Sequence, residues 1–287
     1  MSTSRYYSRT ATKETQKSVR VLNWNIACLP KPWNSFGSGD PTDRQAGILQ
    51  YIVRLDPDIV CLQEVFDTEV TDYLLSGFNA YGYNAITSDQ FGCCAPGCLK
   101  SLGIGFRGGL LVAFRQTFKK EAGKFYKYSA GTGEDKFANK GVLHVRIDTH
   151  IPSIGVVDIF NTHMQANATR CCPGNLVKTR LSQLEQLKEW AFTKQDGGTV
   201  IVAGDFNIAS LSNEYSVLET AMQNLFIRPP LPADVSASST RWGKRVDYIF
   251  YFPKSNWGQV ENSYSEIKAT EWSDHYVLLD DYSPSTL

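Results

Sequence analysis

Short apolar runs rich in β-branched residues recur along the chain: Val19–Trp24, Asp58–Leu62, Gly109–Phe114, Gly141–Ile147, Ile154–Asn161, Thr199–Ala203, Val246–Phe252 and Tyr276–Leu279. Each has strand length, and most are bounded by Gly, Pro, Asn or Asp, which predicts strands. Between them lie segments with helical spacing. Asp43–Leu55 sets Ile48, Ile52 and Leu55 on one face, and Val177–Phe192 does the same with Leu181, Leu184, Leu187 and Trp190/Ala191. A third helix is predicted over Asn213–Asn224. Strands dominate both halves with helices interspersed, the pattern of two sheets packed face to face with helices outside.

Ser88–Gly108 breaks this rhythm. It is a Gly- and Cys-rich stretch of about twenty residues carrying Phe91, Leu99, Leu102, Ile104 and Phe106 without a period, and loops this long in a compact domain are usually functional or disordered. No linker divides the chain, so a flexible tail over residues 1–17 and a single domain over 18–287 are expected. Met1–Lys17 is polar and lacks an apolar signal region, and no run reaches the roughly 18 apolar residues of a membrane span. A cytoplasmic or peripheral membrane location is therefore expected, or secretion if a leader was trimmed. The clusters Cys93-Cys94 with Cys98, and Cys171-Cys172, match no common zinc spacing. They are read as loop thiols in a reducing compartment, a bridge between the two clusters being the competing reading.

Charge narrows the function. Lys+Arg and Asp+Glu both total 29, whereas proteins that hold duplex DNA through its phosphates usually carry a basic excess. No stable nucleic-acid partner is expected. Polar clusters, meanwhile, fall at or near the predicted strand ends: Asn23-Trp24-Asn25, Gln63-Glu64, Asn161-Thr162-His163, Gly204-Asp205-Phe206-Asn207, Val246-Asp247 and Trp272-Ser273-Asp274-His275. Mg²⁺ takes hard oxygen ligands, which Glu64, Asn25 and Asp274 offer. Attack on phosphorus needs a base for water and donors for the developing charge, roles open to His275, Asp205, Asn207 and His163. Each cluster alone is commonplace, since Gly-Asp-x-Asn is a frequent turn and Asn25 could merely cap a loop. Their order, each at a strand edge, is not commonplace. His144 and His150 lie in no such motif and are assigned no chemistry.

In this order, across Val19–Leu279, the motifs resemble those of the endonuclease/exonuclease/phosphatase superfamily. The resemblance implies a DNase I-like, four-layer αββα sandwich of the α/β class. It also implies a role for each residue: Glu64 binds Mg²⁺, with Mn²⁺ as a substitute; Asp205 and Asn207 orient and activate water; His163 stabilises the phosphate in the transition state; and His275 acts as acid/base in concert with Asp247. Narrower features are similar to neutral sphingomyelinases: Glu64-Val65-Phe66-Asp67 continuing to Leu74-Leu75, Gly108-Gly109-Leu110-Leu111-Val112, Lys136-Phe137-Ala138-Asn139-Lys140-Gly141, Asn161–Ala166 followed by Arg180–Leu184, and Ser273-Asp274-His275-Tyr276. Asn139 and Lys140 are thereby expected at the substrate, with Asp135 setting whether the Lys140 ammonium points inward; a solvated strand-entry charge is the plain alternative for Lys140.

The function expected is phospholipase C-type cleavage of sphingomyelin, or a related choline lipid, to ceramide and phosphocholine by a monomer at a membrane surface. The sequence does not separate His275 from Asp205 as the base. One departure stands out. Secreted bacterial sphingomyelinases carry an aromatic hairpin before the last Ser-Asp-His, whereas Pro253–Glu271 is polar apart from residues such as Trp257, Tyr264 and Ile267. Trp33, Phe36 and the Ser88–Gly108 loop are the remaining candidates for membrane contact. Among rivals, a nuclease is disfavoured by charge, and an inositol-polyphosphate phosphatase by the lack of basic residues over Gly204–Leu211. A catalytically dead binding module should have lost a metal or base residue, and none is missing.

Overall fold

The computed structural model describes residues 18–29, 39–91, 107–133, 135, 138–167, 175–193, 198–225, 238–252 and 264–283. The cysteines at 93, 94, 98, 171 and 172, the aromatics at 33, 36 and 257, and most of the 88–108 loop lie outside these residues. Among the described residues eleven strands form two sheets. One has the order β10-β11-β1-β2-β4-β3, the other β5-β6-β7-β8-β9. In chain order the elements are β1 (Val19–Cys28), α1 (Pro41–Leu55), β2 (Ile59–Val65), α2 (Thr68–Ala80), β3 (Tyr83–Thr87), β4 (Leu111–Arg115), β5 (Lys119–Lys127), β6 (Gly141–Asp148), β7 (Val156–His163), α3 (Leu176–Phe192), β8 (Thr199–Asp205), α4 (Asn213–Leu225), β9 (Asp247–Phe252), β10 (Tyr264–Lys268) and β11 (Val277–Tyr282).

Strand periodicity explains the layering. On β1 and β2, Val21, Ile59 and Cys61 turn to a central core shared with Leu143, Ile159, Ile201 and Ile249 of the second sheet. Their neighbours Leu22, Val60 and Leu62 turn outward to Ile48 and Ile52 of α1 and to Leu74 and Phe78 of α2. Val200 and Val202 of β8 likewise face outward to Leu184 and Leu187 of α3 and Leu218 of α4. Both faces of the central strands are buried, so these strands read as continuous apolar runs rather than alternating ones. The result is the expected αββα sandwich. Among the described residues no helix is long and apolar enough to cross a membrane.

Four elements are absent from the predicted set: α2, β3, β5 and β10. The three strands are all sheet edges. Along β5, Lys119–Lys127, most residues are exposed, and the strand exists because its backbone pairs with β6. β10 similarly converts part of the polar Pro253–Glu271 stretch into a strand on β11. Helix α2 begins on weak helix formers, Thr68 and Val70. It is fixed by the Asp67 side chain, which caps Val70 N, and by burial of Val70, Leu74 and Phe78 at four-residue spacing.

Candidate active site

On the inward face of β1, β2, β7 and β8 the side chains change from apolar to polar towards the ends of the strands. Gln63 donates to Asn23 Oδ1 (2.8 Å) and Asn161 Oδ1 (2.7 Å), and Asn161 in turn donates to Leu62 O (2.9 Å) and Leu111 O (3.0 Å). This fully buried amide layer ties the two sheets together beneath the site. Its members share the strand parity of Asn25, His163 and Asp205, the signal by which the sequence could have assigned them.

Glu64 has the opposite parity and should point outward. It does not, because the β1–β2 register shifts between Asn25 and Cys28, and Ala27 (φ 49°) and Glu64 (φ 56°) take left-handed backbone conformations. The bulge carries the Glu64 carboxylate to Asn25, whose Nδ2 donates to Glu64 Oε1 (3.0 Å) and Asp205 Oδ2 (3.1 Å). Asn25 Oδ1 accepts from Ala27 N (3.0 Å), closing the bulge. Strained non-glycine residues of this kind cluster at functional sites, where the surrounding structure over-determines them. Arg44 supplies part of that determination. Its buried guanidinium donates to Ile26 O (3.1 Å), Ala27 O (2.7 Å) and Trp272 O, clamping the bulge to the segment that carries His275. The sequence reading missed this residue, although Arg44, Ile48 and Ile52 fall on one buried stripe of α1. A charge on an apolar stripe is the signal.

Asp205 ends β8. The preceding Gly204 is needed for strand approach, since a Cβ there would lie 2.1 Å from Thr162 O. Asp205 Oδ1 accepts from Asn207 N (2.9 Å), and Asn207 (φ 53°) donates through Nδ2 to Met164 O (3.1 Å). His275 Nδ1 donates to Asp247 Oδ2 (2.8 Å), which also accepts from Ser239 Oγ (2.7 Å). His275 Nε2 then faces Asp205 Oδ2 at 3.8 Å. The segment is pinned to β1 by Trp24 Nε1 on His275 O (3.0 Å) and Ser273 Oγ on Asn25 O (2.7 Å). Ligand atoms of Asp205, Asp247 and His275 lie within 4.8 Å of one another.

On the far side, His163 Nε2 stands 3.6 Å from Asp205 Oδ2 and 3.9 Å from Glu64 Oε1. Lys140 Nζ donates to it (3.0 Å), to Met164 O (2.7 Å) and to Asp135 Oδ2 (3.2 Å). An ammonium has three donors and no acceptor, so all of Lys140's are engaged and His163 Nε2 accepts. In this structure Lys140 is turned inward on Asp135. Asn139 is buried just before it, with its backbone N–H on Arg107 O (3.1 Å).

Proton affinities follow from this crowding. Burial, reinforced by Asp247, pushes Asp205 up to about 7. Glu64 is raised by burial and by Asp274. His163 is held well below the usual imidazole range by burial and the Lys140 charge. Burial works against a proton on His275, but Asp247, Asp205 and Asp274 outweigh it and bring its pKa up to about 10. Asn25, Glu64, Lys140, His163, Asp205, Asn207, Asp247 and His275 thus fall in one contact network, which Asp274 joins through Ser273 Oγ (3.3 Å). His144 and His150 pair elsewhere, with Asp158 (2.7 Å) and Asp148 (3.1 Å).

The sequence profile of the Endonuclease/Exonuclease/phosphatase family matches residues 22–275, which hold the whole constellation. The chain belongs to that family. Within it, a sphingomyelinase C of Leptospira interrogans is 25% identical over 288 residues, covering 92% of this chain and 50% of the relative. The chain therefore spans about half the length of that relative. A crystal structure of a Staphylococcus aureus beta toxin variant with bound magnesium ions superposes with a TM-score of 0.64 at 20% identity, covering 93% of this chain and 99% of the toxin. A humanized TDP2 of D. rerio superposes with a TM-score of 0.61 at 18% identity, covering 93% of this chain and all of the other. At these identities the two superpositions establish the family fold and no more.

Proposed function

We propose that this chain is a divalent-metal-dependent phosphodiesterase of phospholipase C type that cleaves sphingomyelin or a related choline lipid to the lipid alcohol and phosphocholine. The observation that carries the reading is the close meeting of Glu64 with the buried Asp205, His163 and His275–Asp247 pair, with proton affinities spread from a neutral imidazole to a persistent imidazolium. The similarity to sphingomyelinase C over most of the chain supports the lipid substrate, and the even charge balance weighs against DNA.

The donor chemistry fits a hard cation. Glu64 keeps a fifth of its side chain open to solvent and lies near enough to Asp274 to feel its charge, and their hard carboxylate oxygens suit Mg²⁺. Glu64 and Asp274 would hold Mg²⁺, with Mn²⁺ as substitute. Asn25 Oδ1 accepts from Ala27 N and keeps a second lone pair to offer the cation, while its Nδ2 steadies Glu64 and Asp205. The Asp205, Asp247 and His275 group suits a metal less well, because an imidazolium has no lone pair to give, although Asp247 Oδ1 stands without a hydrogen-bond partner. Bound at Glu64, the cation would polarise the substrate phosphate.

The remaining work falls to side chains. Asn207 and Asp205 orient water, and Asp205, with its affinity near neutrality, takes the water proton. His275, held protonated by Asp247, donates to phosphate oxygens as charge builds there, whereas neutral His163, whose Nε2 accepts from Lys140, has only its Nδ1–H to give. Release of phosphocholine or of other products should be compared on sphingomyelin, lysophosphatidylcholine, bis-nitrophenyl phosphate and plasmid DNA, with EDTA or Mg²⁺. Mg²⁺-dependent turnover is expected to be fastest on the choline lipids. Faster cleavage of DNA than of either lipid would overturn the reading.

A further inference from the structure

Trp242 is 65% exposed, an unusual state for an indole, yet the turn that presents it is tightly built. Thr240 Oγ1 donates to Lys244 O (2.9 Å), Gly243 N donates to Thr240 O (3.2 Å), and Gly243 takes a left-handed φ of 75° with open space around it. The turn is stitched to the catalytic segment. Thr240 forms a bridge with His275, Arg241 N donates to Asp274 O (2.9 Å), and Tyr276 N donates to Ser239 O (2.8 Å). The indole consequently stands edge-on to the His275 imidazole, with ring centroids 6.2 Å apart and planes at 88°. A rigid, solvent-facing aromatic at the lip of a site is placed to touch whatever enters it.

Its surroundings name the ligand. The imidazolium beside it is flanked by Asp247 at 2.8 Å and Asp205 at 3.8 Å, so carboxylates balance its charge and a cation at the lip can be drawn by the indole face. Arg241's own guanidinium is held on Glu271 O (2.8 Å) and Thr270 O (3.3 Å). Trp is the strongest aromatic partner for an organic cation, and a quaternary ammonium is weakly hydrated and forms no N–H bonds. We propose that Trp242 is a specificity-determining residue that receives the quaternary ammonium of the substrate headgroup while the phosphate lies between His275 and His163. This inference rests on the phospholipase reading, and the tether between phosphate and ammonium in a choline headgroup is short enough to span neighbouring groups of this kind.

The test compares wild type, Trp242→Phe and Trp242→Leu on sphingomyelin and on its phosphoethanolamine counterpart in the same mixed micelles. Trp242→Leu should lower kcat/KM for the choline lipid about 3- to 30-fold while changing the ethanolamine lipid less than about twofold, the range of cation–π energies. Trp242→Phe should fall between. Equal losses on both lipids would place Trp242 on the micelle surface or on His275 itself, and no loss would remove it from the site; either result overturns the proposal. Calorimetric titration with phosphocholine and phosphoethanolamine in Mg²⁺ supplies an activity-independent readout. A preference for phosphocholine that disappears in Trp242→Leu supports the inference, and equal affinities in wild type overturn it. Wild type that cleaves neither lipid would sink the phospholipase reading alone, leaving the titration to decide Trp242.

Discussion

Asp205 Oδ2 lies 3.8 Å from His275 Nε2, and of these two buried groups the imidazole holds its proton the more tightly. At neutral pH the imidazolium is therefore the donor and the carboxylate the acceptor. kcat/KM should rise with pH as Asp205 ionises. His275→Gln should lower the rate about 10²–10⁴-fold but keep the rising limb, moved to higher pH because the cation that lowers Asp205's affinity is gone. Asp205→Asn should abolish the limb. A pH–rate series in which His275→Gln instead loses the limb would make His275 the base.

The same pair gives a stability signature in metal-free protein. The folded-state pKa of His275, about 10, lies above its ordinary value of 6.5. Its proton therefore stabilises the fold fully below about pH 6.5, and that contribution is lost as pH rises through about 10. The Tm of wild type in EDTA should exceed that of His275→Gln near pH 8 and converge on it by about pH 10. A difference that is constant over this window would contradict the Asp247–His275 ion pair.

Metal removal separates binding from folding. EDTA should abolish turnover and Mg²⁺ restore it. Added Mg²⁺ should also raise the Tm of wild type, because a ligand that binds only the folded state stabilises it by mass action. Glu64→Gln should leave the apo Tm near or above wild type, since burial and Asp274 oppose its charge, yet respond weakly to Mg²⁺. An unchanged Mg²⁺ shift in that variant would place the cation elsewhere.

Lys140→Met tests whether the ammonium governs His163. Loss of its charge should raise the His163 pKa, read by NMR titration of the imidazole, because that charge lowers it. Turnover should fall roughly 10- to 100-fold, the usual cost of losing a group that orients a functional side chain, and Tm should fall too, because Met164 O and Asp135 lose a buried donor. An unshifted imidazole titration would return Lys140 to a purely structural part.

Arg44 is the joint between bulge and catalytic segment. Arg44→Met should destabilise the protein by at least about 2 kcal/mol, since buried carbonyls lose their donor, and should depress kcat with KM little changed. Denaturant melts showing a loss below about 0.5 kcal/mol would refute the clamp.

The sequence determined the sandwich and most of the residues that meet at the candidate site because both depend on local rules. Central strands are buried on two faces and announce themselves as apolar runs. Asn25, His163, Asp205 and Asp247 are polar residues at the ends of such runs, where side chains leave the core. Edge strands β3, β5 and β10 were not legible, because pairing with one neighbour forms them without an apolar pattern. Only the tertiary structure decided the direction of Glu64, whose parity points it outward until a two-against-one bulge turns it in. It alone also brought Arg44 beneath Ile26 and Trp272, turned Lys140 onto Asp135 and His163, and set Trp242 over His275. These relationships join residues far apart in the chain through backbone carbonyls and left-handed turns. A linear sequence carries no period for such contacts, so folding alone brings them together.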